Sequence, residues 1–269
     1  MSEDFERYTE TNIVGSLVIY EWAAELDIFR ARDILDKLVE IIGLQPDIAT
    51  VVGDSHAKDY IYRNFIKRDV LHKREWQTLG YLWKRRPDTL SDFAIDIACS
   101  PDSFRCFEIH IDRAALPDPD GTAQNIARLV CDVLQPVYGI GLSMPYFWGP
   151  RAFAHGSVSS RFATGDRTVY GPPSAMKEQS FAFGPTFRAE SARRQLDQNL
   201  RDLYPFNLLS KGHLDRRIEG KRLAHWIEEN SFGVIRKLSA ITWQWDVPPR
   251  DVPTIRRRLI DAGLTVVKQ

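Results

Sequence analysis

Four residues on two short alternating runs have the types and spacing to do chemistry. Asp96 lies in FAIDIAC, and Glu108, His110 and Asp112 lie in CFEIHID. Opposed carboxylates raise one another's proton affinity, which is the basis of acid–base pairs, and clustered carboxylate oxygens suit hard divalent cations. Which of these residues meet depends on strand register. Phe93, Ile95 and Ile97 alternate with Ala94, Asp96 and Ala98, while Phe107, Ile109 and Ile111 alternate with Glu108, His110 and Asp112. Period two gives each run one apolar and one polar face. Pairing Ile97 with Phe107 and Ile95 with Ile109 keeps those faces consistent. It sets Asp96 opposite Glu108 and Arg105 opposite Cys99, with His110 two residues along and Ser100-Pro101-Asp102-Ser103 supplying the turn. Like charges directly opposed destabilise a sheet, so the pairing needs a reason. A catalytic or metal-binding carboxylate pair is one, and a solvated face relieved by neighbouring cations is another. An acidic docking surface made by Asp96, Glu108, His110 and Asp112 is preferred to catalysis, because no further ligand motif accompanies them.

The rest of the chain carries no catalytic or cofactor signature. None of the six histidines forms His-x-x-x-His or His-Glu-x-x-His, and there is no Gly-x-Ser-x-Gly elbow. Gly53-Asp54-Ser55-His56 and His155-Gly156-Ser157 hold the residue types of a hydrolytic triad. Triad members normally come from separate elements, so neither string has the expected geometry. Gly139 and Gly141 in VYGIGLSMPY are too sparse for a phosphate loop and are expected to mark a turn and close backbone packing. No cofactor is implied.

The elements that must position these residues follow from periodicity. Residues 11–23 are expected to form a strand, Ile28 to Ile42 a helix ended by Gly43, and Ile48 to Val52 a second strand. A helix is expected around Trp76 to Trp83. Ile126, Leu129, Val130, Val133 and Leu134 make a helical stripe, with Asp120-Gly121-Thr122 as the cap and Pro136 as the stop. A further helix is expected from Ala189 to Leu203. Next come a short strand or turn in YPFNLLSKGHL and a short helix marked by Leu223, Trp226 and Ile227. The tail reads strand, Pro-Pro turn and helix from Ile241 to Gly263, with Trp243 and Trp245 on one face and Asp251 and Pro253 at the helix start.

Between Trp148 and Phe187 glycine and proline interleave with aromatics, among them Trp148, Phe153, Phe162, Tyr170 and Phe183. That content is too aromatic for a disordered linker and suits a binding loop, with Trp148 and Tyr170 as anchors. The predicted architecture is an α+β fold, a mainly antiparallel sheet flanked by helices. It forms a single domain over 1–269, with a possible subdivision into 1–147 and 188–269, two similar halves sharing one core and joined by the loop region 148–187.

Composition narrows the function classes. Lys+Arg and Asp+Glu are both 36 in 269 residues, so net charge is zero. That opposes bulk attraction to nucleic acid or an anionic membrane. Basic clusters such as Lys84-Arg85-Arg86 and Arg256-Arg257-Arg258 read as solvated faces. Three cysteines, Cys99, Cys106 and Cys131, give no disulfide framework, and Cys99 and Cys131, beside apolar runs, read as small core residues. No signal peptide or membrane-length apolar run is present, and the expected location is the cytoplasm.

The blocks CFEIHIDRAALPD, AQNIARLVCDVLQPVYGIGLSMPY and LRDLYPFNLLSKGHLDRR resemble a bacterial type VI secretion immunity family. They share its strand, amphipathic helix and glycine-containing Tyr-Gly segment ending in Pro-Tyr, over about a third of the chain. The aromatic loop and the Pro-Pro tail have no counterpart in that resemblance. It implies a non-enzymatic protein of bacterial defence that neutralises a cognate toxin by protein–protein interaction, with no catalytic residues. The competing expectations are a metal-dependent hydrolase or nuclease using Asp96, Glu108 and His110, and a nucleic-acid-associated subunit of a defence complex.

Overall fold

IVGSLVIYEW has β-branched or apolar residues at seven of its ten positions. In the computed structural model it forms strand β1 (Ile13–Trp22), which has a strand on each side. The structure describes residues 13–53, 56–67, 76–84, 93–100, 106–145, 154 and 196–266. The expected turn after Ser100, Arg105, the loop 148–187 with Trp148 and Tyr170, and the start of the predicted 189–203 helix lie outside the described residues.

After β1 come α1 (Ile28–Ile42), β2 (Ile48–Gly53), β3 (His56–Ile61), the single-turn α2 (Tyr62–Phe65), β4 (Thr78–Lys84), β5 (Phe93–Ser100) and β6 (Cys106–Asp112). A 3-10 turn (Arg113–Ala115), α3 (Pro119–Leu134) and β7 (Pro136–Pro145) follow. The last part holds β8 (Phe206–Leu209), α4 (Lys211–Asp215), a two-stranded ribbon of β9 (Arg217–Ile218) and β10 (Lys221–Arg222), and α5 (Leu223–Glu229). It ends with β11 (Val234–Lys237), β12 (Trp243–Asp246) and α6 (Val252–Asp261). Among the described residues one sheet of ten strands runs β11-β12-β8-β7-β1-β6-β5-β4-β2-β3, with every pairing antiparallel. The chain is therefore α+β.

Helix α1 shows why the sheet's first face is covered. Asp27 caps it by accepting the Arg30 N–H at 2.8 Å, and Gly43 ends it at φ 74°, a left-handed conformation that glycine adopts without strain. Ile28, Ala31, Ile34, Leu35, Leu38 and Ile42 are buried. Each fully buried Leu or Ile contributes about 1.5–3 kcal/mol relative to exposure. The stripe packs with that of α3 over Ile19, Tyr81, Ile97 and Ile109. Asp36 of α1 also accepts the Tyr81 hydroxyl at 2.8 Å. A second core cluster lies on the other face, where Val18, Tyr20, Tyr138 and Ile140 meet Leu214, Trp226, Trp245, Ile255 and Leu259.

Several expectations change. Residues 78–84 form a strand, not a helix, because Leu79, Tyr81 and Trp83 alternate against Cys99, Ile97 and Ile95. Gly80 lies close enough to Ile97 O, 3.2 Å from a notional Cβ, to resist any larger side chain. The α3 cap is Asp118, which accepts the Gly121 N–H at 3.0 Å, in place of Asp120-Gly121-Thr122. Gly139 and Gly141 sit inside β7, not at a turn. The expected close packing is there, since a Cβ on Gly139 would meet Ile19 Cδ1 at 2.7 Å. Residues 196–203 are not helical. Leu200 instead donates to Leu264 O at 2.9 Å and accepts from the Val266 N–H at 2.8 Å, so long-range backbone pairing overrides helical spacing.

Candidate functional site

Strands β5, β6 and β1 bring the sequence-selected polar residues onto one sheet face, with one change of register. Asp96 pairs with His110, Ala98 with Glu108 and Cys99 with Phe107. The expected opposition of Asp96 and Glu108, and of Arg105 and Cys99, is therefore corrected by two residues. A shift of two preserves every inward and outward assignment, so hydrophobic alternation alone cannot distinguish the two registers.

On the other side of β6, Ser16 pairs directly with His110. Its hydroxyl lies 2.8 Å from His110 Nδ1, while Nε2 lies 3.1 Å from Glu108 Oε2. In the neutral imidazole, Nε2–H donates to the carboxylate and Nδ1 accepts the Ser16 O–H. Asp112, one step along the face, accepts the Ala114 N–H at 2.9 Å and so caps the 3-10 turn. These groups are withdrawn from solvent: Glu108 and Asp112 are 2% exposed, His110 5% and Ser16 8%. Asp96 is half-buried.

Serine, histidine and glutamate in line have the composition of a hydrolytic relay, but the backbone around Ser16 opposes that chemistry. Ser16 lies mid-strand in β1, which is paired on both sides, so its backbone N–H groups serve the ladders instead of forming an oxyanion hole. The ring is turned relative to the serine-protease triad, in which the serine meets Nε2 and the acid Nδ1. Among the described residues no group of three His, Cys, Asp or Glu is arranged to hold a metal ion. Burial, with Asp132 beside it, pushes the Cys131 thiol up to about 12, away from nucleophilic use.

A second polar cluster lies on the same face near β7, and sequence reasoning did not anticipate most of it. Arg201 is fully buried. Its Nη1 donates to Tyr20 Oη at 2.5 Å and to Ala154 O at 3.3 Å, and its backbone N–H donates to Tyr138 Oη at 2.7 Å. Tyr138 stacks between Tyr20, with ring centroids 5.9 Å apart, and His213 at 5.3 Å. Burial raises the Tyr138 phenol well above its usual range. Asp202 accepts from Arg256 Nε at 2.7 Å. His213 Nδ1 accepts the Ser210 N–H at 3.1 Å in a capping box, and burial pushes its pKa down to about 4. The signal for Ser16 was a small polar residue on the inward parity of an apolar strand. Arg201 gave none, because an arginine in a polar stretch reads as solvated.

No family model matches the chain, and no curated protein matches it in sequence. One similar solved structure is the Pseudomonas aeruginosa T6SS protein PA0821, with a TM-score of 0.53 at 11% identity, covering 95% of this chain and 73% of that one. The likeness is one of fold. Among the described residues no helix is long and apolar enough to cross a membrane.

Proposed function

We propose that this chain is an immunity-type protein of type VI secretion that binds a cognate toxin and neutralises it without catalysis. The observation that carries this reading is the fold likeness to a type VI secretion protein along nearly the whole chain. The sheet chemistry agrees with it, because Ser16, His110 and Glu108 engage one another inside the fold. In this reading Asp96, Glu108, His110 and Asp112 are the polar interior of a sheet face, and the toxin meets exposed positions. Trp148 and Tyr170 stay as proposed aromatic anchors for that contact.

Co-production with the product of an adjacent toxin gene tests the reading. The expected result is rescue of growth in a sensitive bacterial host and a stable complex on size exclusion. A toxin that kills equally with and without this chain, and elutes separately from it, would overturn the proposal.

A further inference from the structure

Among the described residues the sheet ends on two edges, β3 and β11, and they differ in chemistry. An edge strand presents backbone N–H and C=O groups on which another strand can pair, and natural proteins guard such edges with charge. In β3 the exposed charges are Lys58 and Asp59, one of each sign, with Lys58 5.0 Å over the Tyr60 ring and Asp59 accepting from the Thr50 hydroxyl. In β11 they are Arg236 and Lys237, both cationic, beside Val234 at 56% exposure and partly buried Ile235.

The ladder shows which β11 groups point outward. Leu238 N–H donates to Thr242 O at 3.0 Å, so this pair is hydrogen-bonded, and antiparallel strands alternate bonded and non-bonded pairs. Arg236 and Val234 therefore turn their backbone groups toward Gln244 and Asp246 of β12. Ile235 and Lys237 turn theirs away from the sheet. The Val247 N–H donating to Pro205 O at 2.8 Å fixes the same parity on the far side of β12.

From this we infer that β11 is the docking edge for an acidic extended segment of a partner protein, which adds to the sheet as an eleventh strand. Backbone bonding to Ile235 and Lys237 supplies the pairing. Carboxylates opposite Arg236 and Lys237, with apolar residues opposite Ile235 and Val234, supply the selection. Arg236 is held by Asp246, yet its side chain is 62% exposed, and one carboxylate engages only some of its five donors. Lys237 Nζ stands 5.3 Å over the Trp243 ring, which fixes its charge at the edge. A second copy of this chain fits poorly. β11 holds no carboxylate, so a second copy paired there offers none to Arg236 or Lys237, and the register that pairs Ile235 with Lys237 sets Arg236 against Arg236. The β3 edge fits an acidic strand less well, because Asp59 would repel it.

The inference rests on the proposal that the chain acts by binding a protein, and two measurements separate them. The first uses a synthetic peptide of about eight residues centred on Glu-Glu-Val-Val, with a Lys-Lys-Val-Val counterpart, against the full chain. Amide NMR is expected to show shifts and slowed exchange at Ile235 and Lys237 with the acidic peptide only. Lys237→Glu should weaken its binding about tenfold, as removal and reversal of one charge pair would. Lys237→Pro removes an outward N–H but no β11–β12 bond, and should abolish binding, while Lys237→Ala retains part of it. Equal affinity for both peptides, shifts at β3 instead, or no response at β11 would overturn the inference. The second measurement is growth rescue: wild type and Lys237→Pro rescuing equally would remove the edge and leave the immunity reading standing. Failure of wild type to rescue, with peptide still bound at β11, would do the reverse.

Discussion

His110 and His213 are buried on the same side of the sheet by different means. His110 is held by strand register, since Ser16 faces it across the β1–β6 pairing and Glu108 lies two residues away on its own strand. Both ring nitrogens meet side chains. His213 is held by docking of the last layer. It stacks on Tyr138 of β7, and its Nδ1 accepts a backbone N–H, which can only donate. A proton on His213 Nδ1 would face that donor, so the second site rejects one. The central strands thus carry polar groups as part of pairing, whereas the C-terminal layer carries them as a consequence of packing.

The comparison breaks most visibly if the layer over His213 is loosened. Trp245 is fully buried, and its Nε1 donates to Phe232 O at 2.8 Å. Trp245→Ala should cost about 3–5 kcal/mol and lower the melting temperature sharply. Hydrogen exchange should then quicken in 206–261 before it quickens in β5 and β6. Uniform acceleration would mean that the two regions unfold as one unit.

The next largest effect is on pH dependence. His213 has its folded pKa lowered from 6.5 to about 4, so the unfolded chain binds a proton that the folded chain refuses between those values. Its contribution is complete above pH 6.5 and is lost as pH falls through that window, by roughly 2–3 kcal/mol between pH 7 and pH 4.5. Urea denaturation of wild type and His213→Gln at both pH values checks this. The variant should be less stable at pH 7 and show a flatter profile, and parallel profiles would discard the assignment.

At the register-held site the expected losses are smaller. Ser16→Ala leaves His110 Nδ1 without its hydroxyl donor and should cost about 1–3 kcal/mol. A double-mutant cycle with Glu108→Gln should reveal coupling of at least about 0.5 kcal/mol through the shared imidazole. Additive losses would mean that Ser16 and Glu108 do not act through His110. Smallest of all, Arg257 is exposed on α6, and Arg257→Ala should shift stability by less than about 0.5 kcal/mol. A larger loss in denaturation would show that the basic run in α6 does more than face solvent.

Local pattern alone was enough for some elements. Helix α1 was legible end to end, because an apolar stripe, a terminating glycine and a clean return to a β-branched strand all agree. The hairpin faces of β5 and β6 were legible for the same reason: period two is a local property. The helix expected around Trp76 to Trp83 failed because four apolar residues in seven fit both periods, and only contact with β5 decides between them. The helix expected through Leu203 failed over 196–203, since its spacing was satisfied by a chain segment that pairs with residues 264–266.

The amino-acid sequence by itself determined the fold class, the apolar faces of β5 and β6 and the burial of Cys99 and Cys131, because each follows from nearest-neighbour periodicity and composition. Tertiary structure decided which polar residues meet. A two-residue slide of β5 along β6 exchanges Glu108 for His110 opposite Asp96 without moving one apolar side chain to the wrong face. Ser16 and His110 are 94 positions apart, and Arg201 and Tyr20 are 181 apart. Contacts over such separations depend on strand order and layer docking, which no local spacing encodes.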